Sequence, residues 1–195
     1  MRYVLSNWKM YPTVDEARSL LLAVQAGLLE RAHPLPCVIV CPPAVALAPL
    51  REVVDGRVVR LGAQHCHWED DGPHTGEISA RMLRGLVDYV MVGHQDRRAG
   101  GQTDEEVART VEAVVRYGMT PILFVETERQ LRAGLARIHP ATHDLLVVYE
   151  PSWAIGAGRA APAEHVREAV GRLKGVVAGT PVLYGGTVNE GNLDE

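Results

Sequence analysis

"YVMVGHQDRR", residues 89–98, decides how this chain is read. An apolar run from Tyr89 to Val92 is broken by a glycine and then followed by a histidine, a glutamine, an aspartate and two arginines. The run does not alternate apolar with polar, and an unbroken apolar run marks a strand buried on both faces, as in a parallel sheet. Its polar residues are gathered at its C-terminal end, so the sheet delivers chemistry at one edge.

Working outward, similar runs recur as "YVLSN" at 3–7, "CVIVC" at 37–41, "VVRLGA" at 58–63, "PILFV" at 121–125, "LLVVYE" at 145–150 and "PVLYGG" at 181–186. With 89–93 they predict seven strands. Between them lie segments with helical spacing, including "TVDEARSLLLAVQAGLLE" and "TDEEVARTVEAVVRYG". Thr13 and Thr103 stand at N-cap positions with Glu16 and Glu106 three residues on, the capping-box spacing, and Gly118 stops the later helix. Repeated β-then-α order implies right-handed crossovers and an α/β class, either a doubly wound open sheet or a closed eight-stranded barrel. Asn7, Lys9, Gln64, His94, Glu126, Glu150 and the Gly185-Gly186-Thr187 group all follow strands, and a barrel would bring such positions to one mouth.

The bulk properties narrow the function. A chain of 195 residues, 47% hydrophobic, is expected to form one domain over residues 1–195. A net charge of −4 without a basic run argues against nucleic acid and against an acidic membrane surface. Its longest apolar stretches fall short of the ~20 residues that cross a bilayer. Cys37, Cys41 and Cys66 fit no metal-ligand spacing, and the first residues lack the apolar core of a secretory signal, so the expected location is the cytoplasm.

Several residues could do chemistry, each with a plainer alternative. Glu150 ends a strand and Pro151 stops the ladder after it, so its carboxylate is held at the edge of the core, where partial loss of water makes a better base. A capping or salt-bridge glutamate would look the same. His94 precedes a helix start whose backbone N–H groups can hold the imidazole neutral as an electrophile or proton shuttle, or it is a structural histidine. Lys9, between Trp8 and Met10, is a fixed positive charge for an anionic substrate or a surface lysine. Gly186 and Thr187 permit close approach of a phosphate to backbone N–H groups, or form an ordinary turn. Pro151, Ser152, Trp153, Ala154, Ile155, Gly156, Ala157 and Gly158 join an apolar tip to flexible points, which suits a lid or a loop packed on a neighbouring helix.

Taken in order, "NWKM", "GAQ", "HTGEIS", "VGHQDRR", "YGMTPILFVET", "YEPSWAIGAG" and "LYGGTVNEGN" resemble the triosephosphate isomerase family along essentially the whole chain. The resemblance implies a (β/α)8 barrel and an isomerase that interconverts dihydroxyacetone phosphate and glyceraldehyde 3-phosphate without metal or organic cofactor. It implies Glu150 as the base at carbon and His94 as the proton shuttle between the two oxygens, the pairing of a glutamate with a neutral histidine being a family feature. Lys9 and Asn7 would stabilise the oxyanion and hold phosphate, joined by Gly156, Gly186 and Thr187. "HWEDDGPHTGEIS" resembles the family's long third loop, with Thr75 at its tip, and implies a homodimer; its Asp-Asp-Gly-Pro content also suits a mobile surface excursion.

The chain departs from the family wording at identifiable places. The family's "GHSERR" becomes "GHQDRR", so Gln95 and Asp96 form a changed supporting shell around His94. Phe124 replaces a cysteine, Ser152 a common valine and Arg159 a common lysine, and the segments 126–150 and 158–184 are short. Two rival readings follow: an isomerase of another small phosphorylated ketose, such as a tetrulose phosphate, and a non-catalytic sugar-phosphate-binding relative. Because the eighth strand and its helix are missing from the sequence, the chain is expected to be incomplete, which an intact mass of 21.3 kDa would refute.

Overall fold

The computed structural model describes residues 2–31, 34–155 and 160–192. Contacts group the chain into two compact units, residues 1–91 with 116–119, and residues 92–115 with 120–195. The seven expected strands are present among the described residues: β1 Tyr3–Asn7, β2 Cys37–Cys41, β3 Val59–Ala63, β4 Tyr89–Val92, β5 Thr120–Val125, β6 Leu146–Tyr149 and β7 Val182–Tyr184. The helices are α1 Val14–Leu29, α2 Leu47–Arg51, α3 Ala80–Leu83, α4 Gln95–Ala99, α5 Asp104–Arg116, α6 Glu128–Gly134 and α7 Ala163–Val176.

In the first unit the ladder is parallel throughout. Tyr3 to Asn7 pair in register with Cys37 to Cys41, Val38 to Val40 with Val59 to Leu61, and Gly62 and Ala63 with Tyr89 and Val90. Val38 to Cys41 are all buried, as the unbroken apolar run requires. The capping box of α1 forms as its spacing predicts, the Thr13 N–H donating to Glu16 Oε2 at 2.8 Å and the Glu16 N–H to Thr13 Oγ1 at 3.4 Å. Ala17, Leu21 and Gln25, four residues apart, form the buried stripe of α1.

In the second unit Ile122 to Val125 pair in parallel with Leu146 to Tyr149, and Val147 to Tyr149 with Val182 to Tyr184. All four residues of β6 are buried. By contrast β7 is half-buried, with β6 as its ladder neighbour within the unit. The capping box of α5 also forms, Thr103 N–H to Glu106 Oε2 at 2.8 Å and Glu106 N–H to Thr103 Oγ1 at 3.2 Å. Beyond its end, Gly118 adopts φ +73°, the left-handed conformation that ends helices. The shortened 126–150 segment holds α6, seven residues long.

Candidate active site

The histidine and the glutamate are delivered by the ends of β4 and β6. After Val92, Gly93 turns the chain at φ +74°. A Cβ there would lie 3.1 Å from Arg98 Nη2, 3.2 Å from the Phe124 carbonyl oxygen and 3.3 Å from Val107 Cγ2, so a glycine is required on both counts. His94 then caps α4, its Nδ1 accepting the Asp96 N–H at 3.1 Å. With Nδ1 occupied as an acceptor, the ring proton of the neutral imidazole is on Nε2. The ring rests against Phe124 with centroids 5.0 Å apart.

Glu150 is reached one residue past β6. Its N–H still donates to the Val125 carbonyl at 2.9 Å, continuing the ladder, and Pro151 has no N–H with which to extend it. The residue is only 4% exposed, and a buried carboxylate needs hydrogen bonds to survive there. It has two. His94 Nε2 lies 3.1 Å from Oε1, and the Gln95 main-chain N–H donates to Oε2 at 2.9 Å. The Gln95 carboxamide donates from Nε2 to the Glu150 carbonyl at 3.3 Å. Gln95 therefore holds Glu150 at two points, its main-chain N–H on the carboxylate and its carboxamide on the carbonyl. Asp96 contributes its main-chain N–H, and its carboxylate, 3.7 Å from His94 Nδ1, has a side chain 56% exposed.

In the first unit, Asn7 and Lys9 follow β1. Lys9 is the one non-glycine residue at positive φ among the described residues, at φ 47°. Such a backbone persists only when its surroundings hold it. Asn7 Oδ1 accepts the Lys9 N–H at 2.9 Å, while Gln64 Nε2 donates to the carbonyls of Lys9 at 2.8 Å and Cys41 at 2.9 Å. Trp8, buried, adds its N–H to the same Cys41 carbonyl at 3.0 Å. The Lys9 backbone is thus held by side chains at the ends of two different strands.

Around the strand ends of the second unit, the Thr187 hydroxyl donates to the Ala154 carbonyl at 2.9 Å, tying the 184–192 turn to the 3-10 turn at Ser152–Ala154. Gly185 donates its N–H to the Tyr149 carbonyl at 2.8 Å, and Gly186 follows it, half-buried. Trp153 is 48% exposed, Ala154 buried and Ile155 half-buried, so the apolar tip is partly covered. Gly156, Ala157 and Gly158, assigned to the same loop, lie outside the described residues. The Tyr149 hydroxyl lies 2.8 Å from His165 Nε2, and Trp153 meets the same imidazole edge-on at 5.5 Å. Sequence reasoning missed His165, because nothing local in α7 signals which strand end it faces.

The third loop is folded rather than loose at its base. His67 pairs with Ser79 through a bridge, the His67 N–H donating to the Ile78 carbonyl at 2.8 Å. The His67 ring stacks on both Trp68 and His74 at 4.1 Å, and Arg116 holds Asp70 at 2.6 Å. Beneath lies a cavity of about 240 Å³ lined in part by His67, His74, Glu77 and Arg81. Thr75 is exposed at the far end. Among the described residues no cluster of three His, Cys, Asp or Glu side chains is arranged to hold a metal ion, and no helix is long and apolar enough to cross a membrane.

Known proteins carry the same pattern. A model of the family described as triosephosphate isomerase matches residues 2–195. The chain is 37% identical to a triosephosphate isomerase of Dehalococcoides mccartyi and 40% identical to one of Synechococcus sp., each comparison covering 98% of this chain and 84% of the relative. It also resembles the crystal structure of triosephosphate isomerase from Bartonella henselae, with a TM-score of 0.79 at 30% identity, over 96% of this chain and 83% of that one. Strand and helix order leaves an open sheet and a barrel both possible; the β/α barrel that the family resemblance implies is the fold class of this chain.

Proposed function

The chain belongs to the triosephosphate isomerase family, and from that premise we propose how its own residues interconvert dihydroxyacetone phosphate and glyceraldehyde 3-phosphate. The observation that carries the proposal is the buried pair in which His94 Nε2 stands 3.1 Å from Glu150 Oε1. Glu150 is the base. It takes a proton from the carbon beside the substrate carbonyl, and the electron pair of that C–H bond becomes the C=C bond of an enediolate.

His94 supplies the Nε2 proton to the carbonyl oxygen as charge develops on it, then takes the proton of the neighbouring hydroxyl. The two oxygens exchange roles through the imidazole, and Glu150 returns its proton to the adjacent carbon. The resting geometry adds a link between binding and activation. Glu150 Oε2 accepts the Gln95 main-chain N–H, while Oε1 faces, at 3.1 Å, the same Nε2 that the substrate oxygen requires. Binding of the substrate carbonyl therefore engages Nε2 with the substrate oxygen and leaves Oε1 to act on the carbon.

Lys9 stabilises the oxyanion, and Asn7, Gly156, Gly186 and Thr187 serve the phosphate. Support for Lys9 comes from its imposed positive φ, a strain that side chains from Asn7 and Gln64 maintain. Thr187 offers its main-chain N–H, since its hydroxyl is engaged with Ala154. A coupled isomerase assay on wild type and Glu150→Gln decides the base assignment. The variant should lose at least about 100-fold in turnover, and equal rates would sink the assignment. Faster turnover of tetrose than of triose phosphates would move the substrate to a longer ketose.

The further reading is of one domain, a homodimer built through the Thr75 loop, working in the cytoplasm. A single family match across residues 2–195 supports the first. The tied base of the third loop with its exposed tip supports the second. Sedimentation at micromolar concentration should give a dimer mass that Thr75→Arg reduces, and a wild-type monomer would overturn it.

A further inference from the structure

Two positions where the chain departs from family wording, Gln95 and Ser152, act on the same three residues of backbone. The Gln95 carboxamide donates to the Glu150 carbonyl at 3.3 Å, just before Pro151. Just after Pro151, Ser152 donates to Glu126 Oε1 from its main-chain N–H at 3.3 Å and from its hydroxyl at 3.1 Å. Glu126 is itself fixed at the end of β5, its N–H donating to Gln130 Oε1 at 2.7 Å. Pro151 between them is buried and has no N–H, so these side-chain bonds replace the ladder that the proline ends.

We propose that Gln95 and Ser152 are positioning residues that clasp residues 150–152 in the resting state and thereby set how readily the base Glu150 is released to the substrate. The proposal rests on the reading of Glu150 as the base. In the clasped geometry one carboxylate oxygen accepts the Gln95 N–H and the other faces His94 Nε2 at 3.1 Å. Proton abstraction requires Glu150 to leave at least one of these neighbours, and movement of its backbone is opposed by the carboxamide on one side and by Glu126 on the other. Substrate binds the released arrangement, so its apparent affinity is lowered by the fraction of molecules that are clasped. One neutral hydrogen bond changes such an equilibrium by about 2- to 10-fold.

The test uses Gln95→Met, which keeps length and volume without the N–H donor, and Ser152→Val, which removes the hydroxyl and leaves the main-chain bond. Neither touches the Gln95 main-chain N–H or His94. Each variant should lower KM for glyceraldehyde 3-phosphate by about 2- to 10-fold, with kcat not reduced and the pH profile of kcat/KM unchanged. Hydrogen exchange of the amides at positions 152, 154 and 155 should quicken by a similar factor, and this readout does not depend on turnover. Unchanged exchange in both variants overturns the clasp, as does a fall in kcat at constant KM. Absence of isomerase activity in the wild type would instead overturn the reading of Glu150 as base, leaving exchange to decide the clasp.

Discussion

Gly93→Ala tests the turn that places His94, and its cost follows from three distances. Two effects add. An alanine at φ +74° pays the left-handed backbone cost of about 1–2 kcal/mol. Its Cβ also meets Arg98 Nη2 at 3.1 Å, the Phe124 carbonyl at 3.2 Å and Val107 Cγ2 at 3.3 Å. The carbonyl belongs to a central strand, and Arg98 cannot swing away, because its Nε donates to the Gly93 carbonyl at 2.9 Å and its Nη1 holds Asp104 at 2.7 Å. Overpacking of this kind costs about 1–3 kcal/mol, which brings the expected loss to about 2–5 kcal/mol. Gly118→Ala is the control: Gly118 has φ +73°, and a Cβ there would meet nothing within 4 Å, so it suffers the dihedral cost alone. The entropy removed from the unfolded chain is common to both and cancels in the comparison. Urea unfolding followed by far-ultraviolet circular dichroism and tryptophan fluorescence, accepted where the two transitions coincide, should place the Gly93→Ala midpoint about 1 M below wild type and clearly below Gly118→Ala. Turnover should fall as well, because the displaced backbone carries His94 away from Glu150. Equal stability of the two variants within about 0.5 kcal/mol would refute the crowding argument, since that is the size of an ordinary surface substitution.

Burial pushes the Cys66 thiol up to about 12 and raises that of Cys41 as well, so an aromatic disulfide reagent at pH 8 should label the half-buried Cys37 first. All three thiols should react in urea, and rapid labelling of Cys41 or Cys66 in the native protein would contradict their placement. Asp55 is held at about 2 by the side chain and the main-chain N–H of Arg57, below the ~3.9 of an unfolded aspartate. A depressed folded pKa contributes stability above the unfolded value and loses it as pH falls through the folded one. The wild-type advantage over Asp55→Asn in urea midpoint should therefore be constant above about pH 5 and shrink from pH ~4 toward pH ~2; an advantage that grows on acidification would reverse the sign.

Strands, helix starts and the polar residues at strand ends were legible in the amino-acid order, because each is written locally. Val38 to Cys41 and Leu146 to Tyr149 are unbroken apolar runs, and both are buried. Thr13 with Glu16 and Thr103 with Glu106 are three residues apart, and both capping boxes close. Even the acceptor role of His94 Nδ1 was within reach, since its donor is the N–H two residues on. Contacts between residues far apart in the chain emerge only on folding, where no local period or spacing carries a signal. Gln95 looked like a lost hydroxyl, yet it grips a residue 55 positions away at both the carboxylate and the carbonyl. Ser152 looked like a lost valine, and it engages Glu126, 26 positions earlier. His165 carried no mark of its place beside Tyr149 and Trp153. Lys9 announced a charge but not the positive φ that Asn7 and Gln64 impose on it. Hydrophobic periodicity fixes which residues turn inward, whereas a polar side chain chooses its partner only after the strands have brought their ends together.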